Sequence, residues 1–138
     1  MDARERQKMP GQVEFSDHFT LLYDDLTVDE QDLIDDFVEH FKAHGLKGFP
    51  GKYGPTDAVP HSDPDRARKI RFANLHKLWH VHIGYPRWNA CKNPMASYRT
   101  SDYVVHFQKL GPGHIALVDY NSHNPMPQPD RKSLFRQI

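Results

Sequence analysis

The chain has a single cysteine, Cys91, in 138 residues. An internal disulfide is excluded, and this cysteine usage fits a reducing compartment. No apolar run approaches the roughly 20 residues of a membrane-spanning helix, and no stretch resembles a signal peptide. A cytoplasmic protein with no membrane partner is expected. The sequence also lacks a P-loop, a dinucleotide-binding glycine fingerprint, the motifs of activated nucleophiles and any C-x-x-C pair. With those missing, no cofactor is expected, and no internal repeat is visible.

Net charge is absent too, with 18 Lys/Arg against 18 Asp/Glu. That balance conceals a split. Residues 1–65 hold 6 Lys/Arg against 15 Asp/Glu, and residues 66–138 hold 12 against 3. The second part also carries six of the ten histidines. Such asymmetry gives the molecule a field that its average hides, and the basic part suits a polyanion such as RNA. Packing of the two parts against each other would neutralise it.

A length of 138 residues implies one domain. Residues 1–11, ending in Pro-Gly, read as a flexible leader, with the domain over 12–138. The run "VEFSDHFTLLYDDL" reads as one or two short strands. In "LTVDEQDLIDDFVEHFKAHG", Thr27 is an N-cap and Glu30, three residues on, completes a capping box. Leu33, Ile34, Phe37, Val38 and Phe41 recur at helical spacing and Gly45 supplies the stop. The pattern predicts an amphipathic helix over about 28–44.

Residues 45–65 contain four Gly and four Pro and read as a long loop. The period then becomes two. "KIRFANL", "KLWHVHIGY", "DYVVHFQKL" and "HIALVDYNS" read as four strands, the last two joined at "GPG" as an antiparallel hairpin. "NPMPQPD" reads as extended, and "DRKSLFRQI" as a short C-terminal helix with Leu134, Phe135 and Ile138 on one face. The sum is an α+β domain: an antiparallel sheet of about four or more strands, with the acidic helix packed on one face. The opposite face is expected to be open, basic and rich in histidine.

"LWHVHIG" places His80 and His82 on one strand face, opposite Trp79, Val81 and Ile83. Cys91, His106 and His114 are the residues available to extend that pair to a metal site, but zinc needs three or four ligands and no second tight cluster is present. No metal is therefore expected. The alternatives are plain filling of the sheet and phosphodiester chemistry. RNA cleavage by the 2′-hydroxyl needs a base, an acid and a cation for the phosphorane charge. Histidine suits the proton roles and arginine the charge role. The candidates are His80, His82, His106 and Arg99. Lys77, Arg87, Arg131 and Lys132 are candidate backbone contacts, and Trp88 is a candidate for stacking on a base.

The helix run, the Gly-rich "FPGKYGPTD", then "LWHVHIG", "YRTSDYVVHF", "HIALVDYNSH" and "DRKSLFRQI" together resemble the YafO-type toxins of bacterial type II toxin–antitoxin pairs, over about residues 14–138. The resemblance implies a RelE-like twisted sheet with helices on one side and RNA on the other. It implies a ribosome-dependent, metal-independent mRNA interferase, with mRNA on the ribosome and a cognate antitoxin as partners. The matching positions are His80 and His82, and Arg99 and Asp102 of the R-T-S-D segment. "YGPTD" departs from the family's aromatic-Gly-Arg-Asp run. The competing expectation is a non-catalytic RNA- or protein-binding module of the same fold.

Overall fold

A computed structural model describes residues 11–89, 98–123 and 126–136. The leader (except Gly11), Cys91, Pro125 and Ile138 lie outside the described residues.

The chain begins with β1 (Gln12–Phe15), α1 (Asp17–Asp24) and α2 (Val28–His44). Then come β2 (Tyr53–Pro55), α3 (Arg66–Leu75), β3 (Leu78–His82), β4 (Tyr103–Gly111) and β5 (His114–Ser122), and a 3-10 turn at Arg131–Ser133. The five strands form one sheet in the order β1-β5-β4-β3-β2. All neighbours are antiparallel except β1, which runs parallel to β5 with Val13 opposite Ile115. The protein is an α+β domain with a mixed sheet, one parallel edge added to the expected antiparallel core.

The expected acidic helix is α2. Thr27 Oγ1 accepts the Glu30 amide at 3.3 Å, and Glu30 Oε1 accepts the Thr27 amide at 3.3 Å. Gly45, at φ 69°, ends the helix in a conformation that glycine adopts without strain. Ile34, Phe37, Val38 and Phe41 are buried against Val81, Val105, Phe107, Ile115 and Leu117, which forms the main core.

Two expected strands are helices. After β1, Ser16 Oγ accepts the Phe19 amide at 3.1 Å and starts α1, so "SDHFTLLYD" is helical. Phe19, Leu22 and Tyr23, spaced three and four apart, turn toward the core. "KIRFANL" belongs to α3: Ile70 and Phe72 alternate like a strand for only a few residues. Arg, Ala, Lys and Leu dominate the segment and favour a helix, while the buried positions are Ala73 and, three residues on, the C-cap His76. The C-terminal segment makes only a 3-10 turn, capped by Asp130, with Leu134 buried and Phe135 exposed.

These corrections change the second face of the sheet. It is not open. Ala73 of α3 and Leu134 pack on Leu78, Ala116 and Val118 as a second, smaller core. Gln108, buried on that face, donates to the carbonyls of Arg136 (2.9 Å) and His76 (3.3 Å) and accepts the amides of Phe135 and Arg136. It pins the C-terminal segment to the sheet. The charge split now has a place. Asp32, Asp35, Asp36 and Glu39 are exposed on α2, on one side of the sheet. Arg68, Arg71, Arg131, Lys132 and Arg136 are exposed on the other.

Candidate functional site

The part of the second face that α3 leaves uncovered is a cleft of about 830 Å³ over β2 and β3. His80, His82 and His123 line it, with Lys52, Thr56 and Thr100 around them. Residues 58–60 and 126–128 make its walls. Arg66 Nε donates to the Val59 carbonyl at 3.1 Å and Lys69 pairs with Asp63, so the 56–65 loop is tied to α3.

Strand pairing sets the histidines. His80 pairs with His106 across β3 and β4, and the alternation puts both on the second face with His82. One donor nitrogen from each of His80, His82 and His123 lies within 4.8 Å of the others. The His82 and His123 rings are 4.7 Å apart between centroids, and those of His80 and His123 5.6 Å. His80 Nδ1 is 3.2 Å from Thr56 Oγ1. His82 Nδ1 is 2.8 Å from the Ser101 carbonyl oxygen and 3.0 Å from its amide nitrogen.

The R-T-S-D segment organises this site through its backbone. Arg99 accepts the Lys52 amide at 2.8 Å and donates to the Pro50 carbonyl at 2.9 Å, which sets Lys52 beside the cleft. Gly51 must be glycine here, because a Cβ would collide with the His82 carbonyl oxygen. Ser101 is buried; its hydroxyl accepts the Gly84 amide and donates to the Tyr103 carbonyl, each at 3.0 Å. The Asp102 carbonyl accepts the His123 amide at 2.7 Å. Thus Arg99, Ser101 and Asp102 hold Lys52, His82 and His123 in turn.

Burial and neighbouring positive charge both disfavour protonated imidazole. Burial first, then His106, His123, His82 and Lys52, depress the His80 pKa to about 3. Burial lowers that of His82 to about 4, against the opposing Ser101 hydrogen bond. His123 is lowered by burial and by Lys52. The site therefore offers neutral imidazoles beside Lys52, while the other lysine lining the cleft, Lys69, is paired with Asp63. Lys52 has no carboxylate within ion-pair distance among the described residues.

The sequence candidates divide. His80 and His82 line the cleft. His106 is wholly buried, with Nε2 on Asn121 Oδ1 at 2.9 Å, and backs His80 at 6.2 Å between centroids. It cannot touch a substrate, and burial lowers its pKa. Arg99 and Asp102 have exposed side chains; Asp102 lines a smaller neighbouring cleft with Asn89 and Thr100. Arg87 is exposed, while Trp88 is half-buried beneath Gly84. Arg131 and Lys132 are exposed on the basic side but do not line the cleft, and Lys77 is exposed on the opposite side, beside Phe41 and Gly45 at the end of α2.

Lys52, Thr56 and His123 were not among the candidates. Lys52 and Thr56 sit in the Gly/Pro-rich loop, where no periodicity marks them. His123 follows β5, whose parity is reset by a bulge: Phe107 pairs with Leu117 while His106 pairs with Asp119, leaving Val118 extra. No helix among the described residues is long and apolar enough to cross a membrane. No family model, curated protein or solved structure matches this chain.

Proposed function

We propose that the protein is an endoribonuclease of the toxin type, cutting mRNA on the ribosome and restrained by a cognate antitoxin. The observation that carries this reading is the grouping of His80, His82, His123 and Lys52 in one cleft on the basic side of the sheet. The resemblance of the chain to YafO-type toxins points the same way, with helices on one side of a RelE-like sheet and RNA on the other. Because α3 and the C-terminal segment cover part of that second side, RNA enters over β2 and β3.

The chemistry follows from the groups. A neutral imidazole, His80 or His82, takes the proton of a 2′-hydroxyl. The 2′-oxygen attacks phosphorus, and the 5′-oxygen leaves with a proton from a second imidazole of the group. The products are a 2′,3′-cyclic phosphate and a 5′-hydroxyl. Lys52 offsets the charge on the phosphorane oxygens. The bound phosphodiester supplies the negative charge that raises an imidazole pKa toward working pH, so one histidine can carry the donated proton. Arg99, Arg87, Arg131 and Lys132 hold backbone phosphates, and Asp102 lies at the neighbouring cleft beside His82 and His123. Lys77, on the α2 side, and Trp88, packed on the main core, lie away from this path.

The test is expression in bacteria without an antitoxin. Growth arrest with fragmented mRNA is expected from the wild type, and neither from His82→Ala. A wild type that leaves growth and mRNA intact overturns the reading. RNA binding that is equal in wild type and variant, with no cleavage by either, makes the protein a binding module.

A further inference from the structure

We propose that His80, His82 and His123 form a binding site for a divalent transition metal of the zinc class, and that metal held there silences the cleft. The binding itself does not depend on the endoribonuclease reading; the silencing does.

The geometry is that of a three-histidine centre before closure. Three imidazole donors lie within 4.8 Å of one another. Bonds of about 2.0–2.1 Å in a tetrahedron place donors about 3.4 Å apart, so modest side-chain rotation brings them together. His123, just beyond the end of β5, is the ring least constrained by the sheet. The outer nitrogens of the other two rings are already anchored. His80 Nδ1 meets Thr56 Oγ1 at 3.2 Å and His82 Nδ1 meets the Ser101 carbonyl at 2.8 Å. When His82 Nδ1 carries its proton and donates to that carbonyl, its Nε2 lone pair is free for a metal. Metal-bound histidines use such outer hydrogen bonds to fix tautomer and ring direction. No hydrogen bond among the described residues engages Nε2 of either ring. The adjoining cleft leaves a fourth position for water or another small ligand.

An all-imidazole donor set suits zinc, copper or nickel and not magnesium or calcium, which take oxygen. It also brings no negative charge, and Lys52 adds a positive one beside it. The centre is therefore a reversible site and not a structural one. The core is packed without it, through apolar clusters on both faces of the sheet. A metal and a 2′-hydroxyl proton require the same nitrogen lone pairs, so loading excludes base catalysis.

The test uses the full chain after dialysis against a chelator, titrated with zinc chloride alone by calorimetry. One zinc per chain is expected, with affinity falling at least tenfold in His123→Ala. The same binding is expected in His44→Ala, which breaks up a close histidine pair away from the cleft, His40 and His44. Lys52→Gln should tighten zinc several-fold, because it removes a like charge, whereas it weakens RNA. Cobalt in place of zinc should give the visible absorption of a four- or five-coordinate site, lost in His123→Ala. Absent stoichiometric binding, wild-type affinity in His123→Ala, or loss of binding in His44→Ala would each overturn the proposal. If zinc binds as expected but RNA is never cleaved, only the silencing fails.

Discussion

His82 Nδ1 lies 2.8 Å from the carbonyl oxygen of Ser101 and 3.0 Å from its amide nitrogen. A nitrogen cannot give and take a proton at once, so the choice between these two partners and the tautomer of His82 are one and the same. With the proton on Nδ1, the ring presents a basic Nε2 to the cleft. With Nδ1 accepting the Ser101 amide, it presents an N–H. The serine thus couples the R-T-S-D segment to the chemistry of β3.

Ser101→Ala should damage both stability and site. Its hydroxyl is buried and bridges the Gly84 amide to the Tyr103 carbonyl. Leaving those groups unpaired costs about 1–3 kcal/mol. Urea unfolding is the measurement, and an unchanged midpoint would contradict the hydrogen-bonding account.

Gln108→Ala should release the C-terminal segment. The side chain makes four hydrogen bonds to the backbone of His76, Phe135 and Arg136. A loss of about 2–4 kcal/mol is expected, from a buried cavity plus unpaired backbone groups. Faster amide exchange at residues 133–136 should accompany it, while exchange in α2 should fall behind only as far as global stability does.

Lys52→Gln should weaken RNA binding with little effect on folding, because Lys52 is exposed and has no carboxylate within ion-pair distance among the described residues. If the ammonium contacts one phosphate, the slope of log affinity against log salt should become shallower by about 0.7. An unchanged slope would remove Lys52 from the RNA contacts.

Stability should fall as the solution is acidified below pH 6.5. His76, His80, His82 and His106 all have pKa values depressed by burial in the folded chain. The unfolded chain takes up protons near 6.5 while the folded one resists down to about 4 at His82 and about 3 at His80. Their contribution is whole above pH 6.5 and is lost progressively below it. Between pH 6.5 and 5, carboxylates scarcely titrate, so a chelator-treated sample unfolded in urea across that window isolates the histidines. A flat midpoint would mean the rings are solvated and unstrained.

The helix α2 was legible because its cap, stop and spacing agreed, β3 because alternation held along it, and β4 and β5 because their β-branched and aromatic runs mark strands even where a bulge breaks the alternation. α3 was misread because Ile70 and Phe72 mimic a strand and the sequence does not say which of them packs. The histidine pair was legible from parity alone. Its third member was not: the bulge at Val118 and the turn after Ser122 decide where His123 points. Lys52 reaches the site only because Arg99 and His82 pair with the backbone around it. The charge split was visible as composition, but its arrangement on opposite sides of the sheet required the two cores.

The most direct test is to incubate purified protein, treated with a zinc chelator, with ribosomes carrying a defined mRNA and to identify the ends of any fragments. The expected ends are 5′-hydroxyl and 2′,3′-cyclic phosphate, with the rate reduced about 10²-fold or more in His80→Ala and His82→Ala variants that remain folded. Fragments with 5′-phosphate ends, no fragments, or wild-type rates from both variants would contradict the proposed cleavage chemistry.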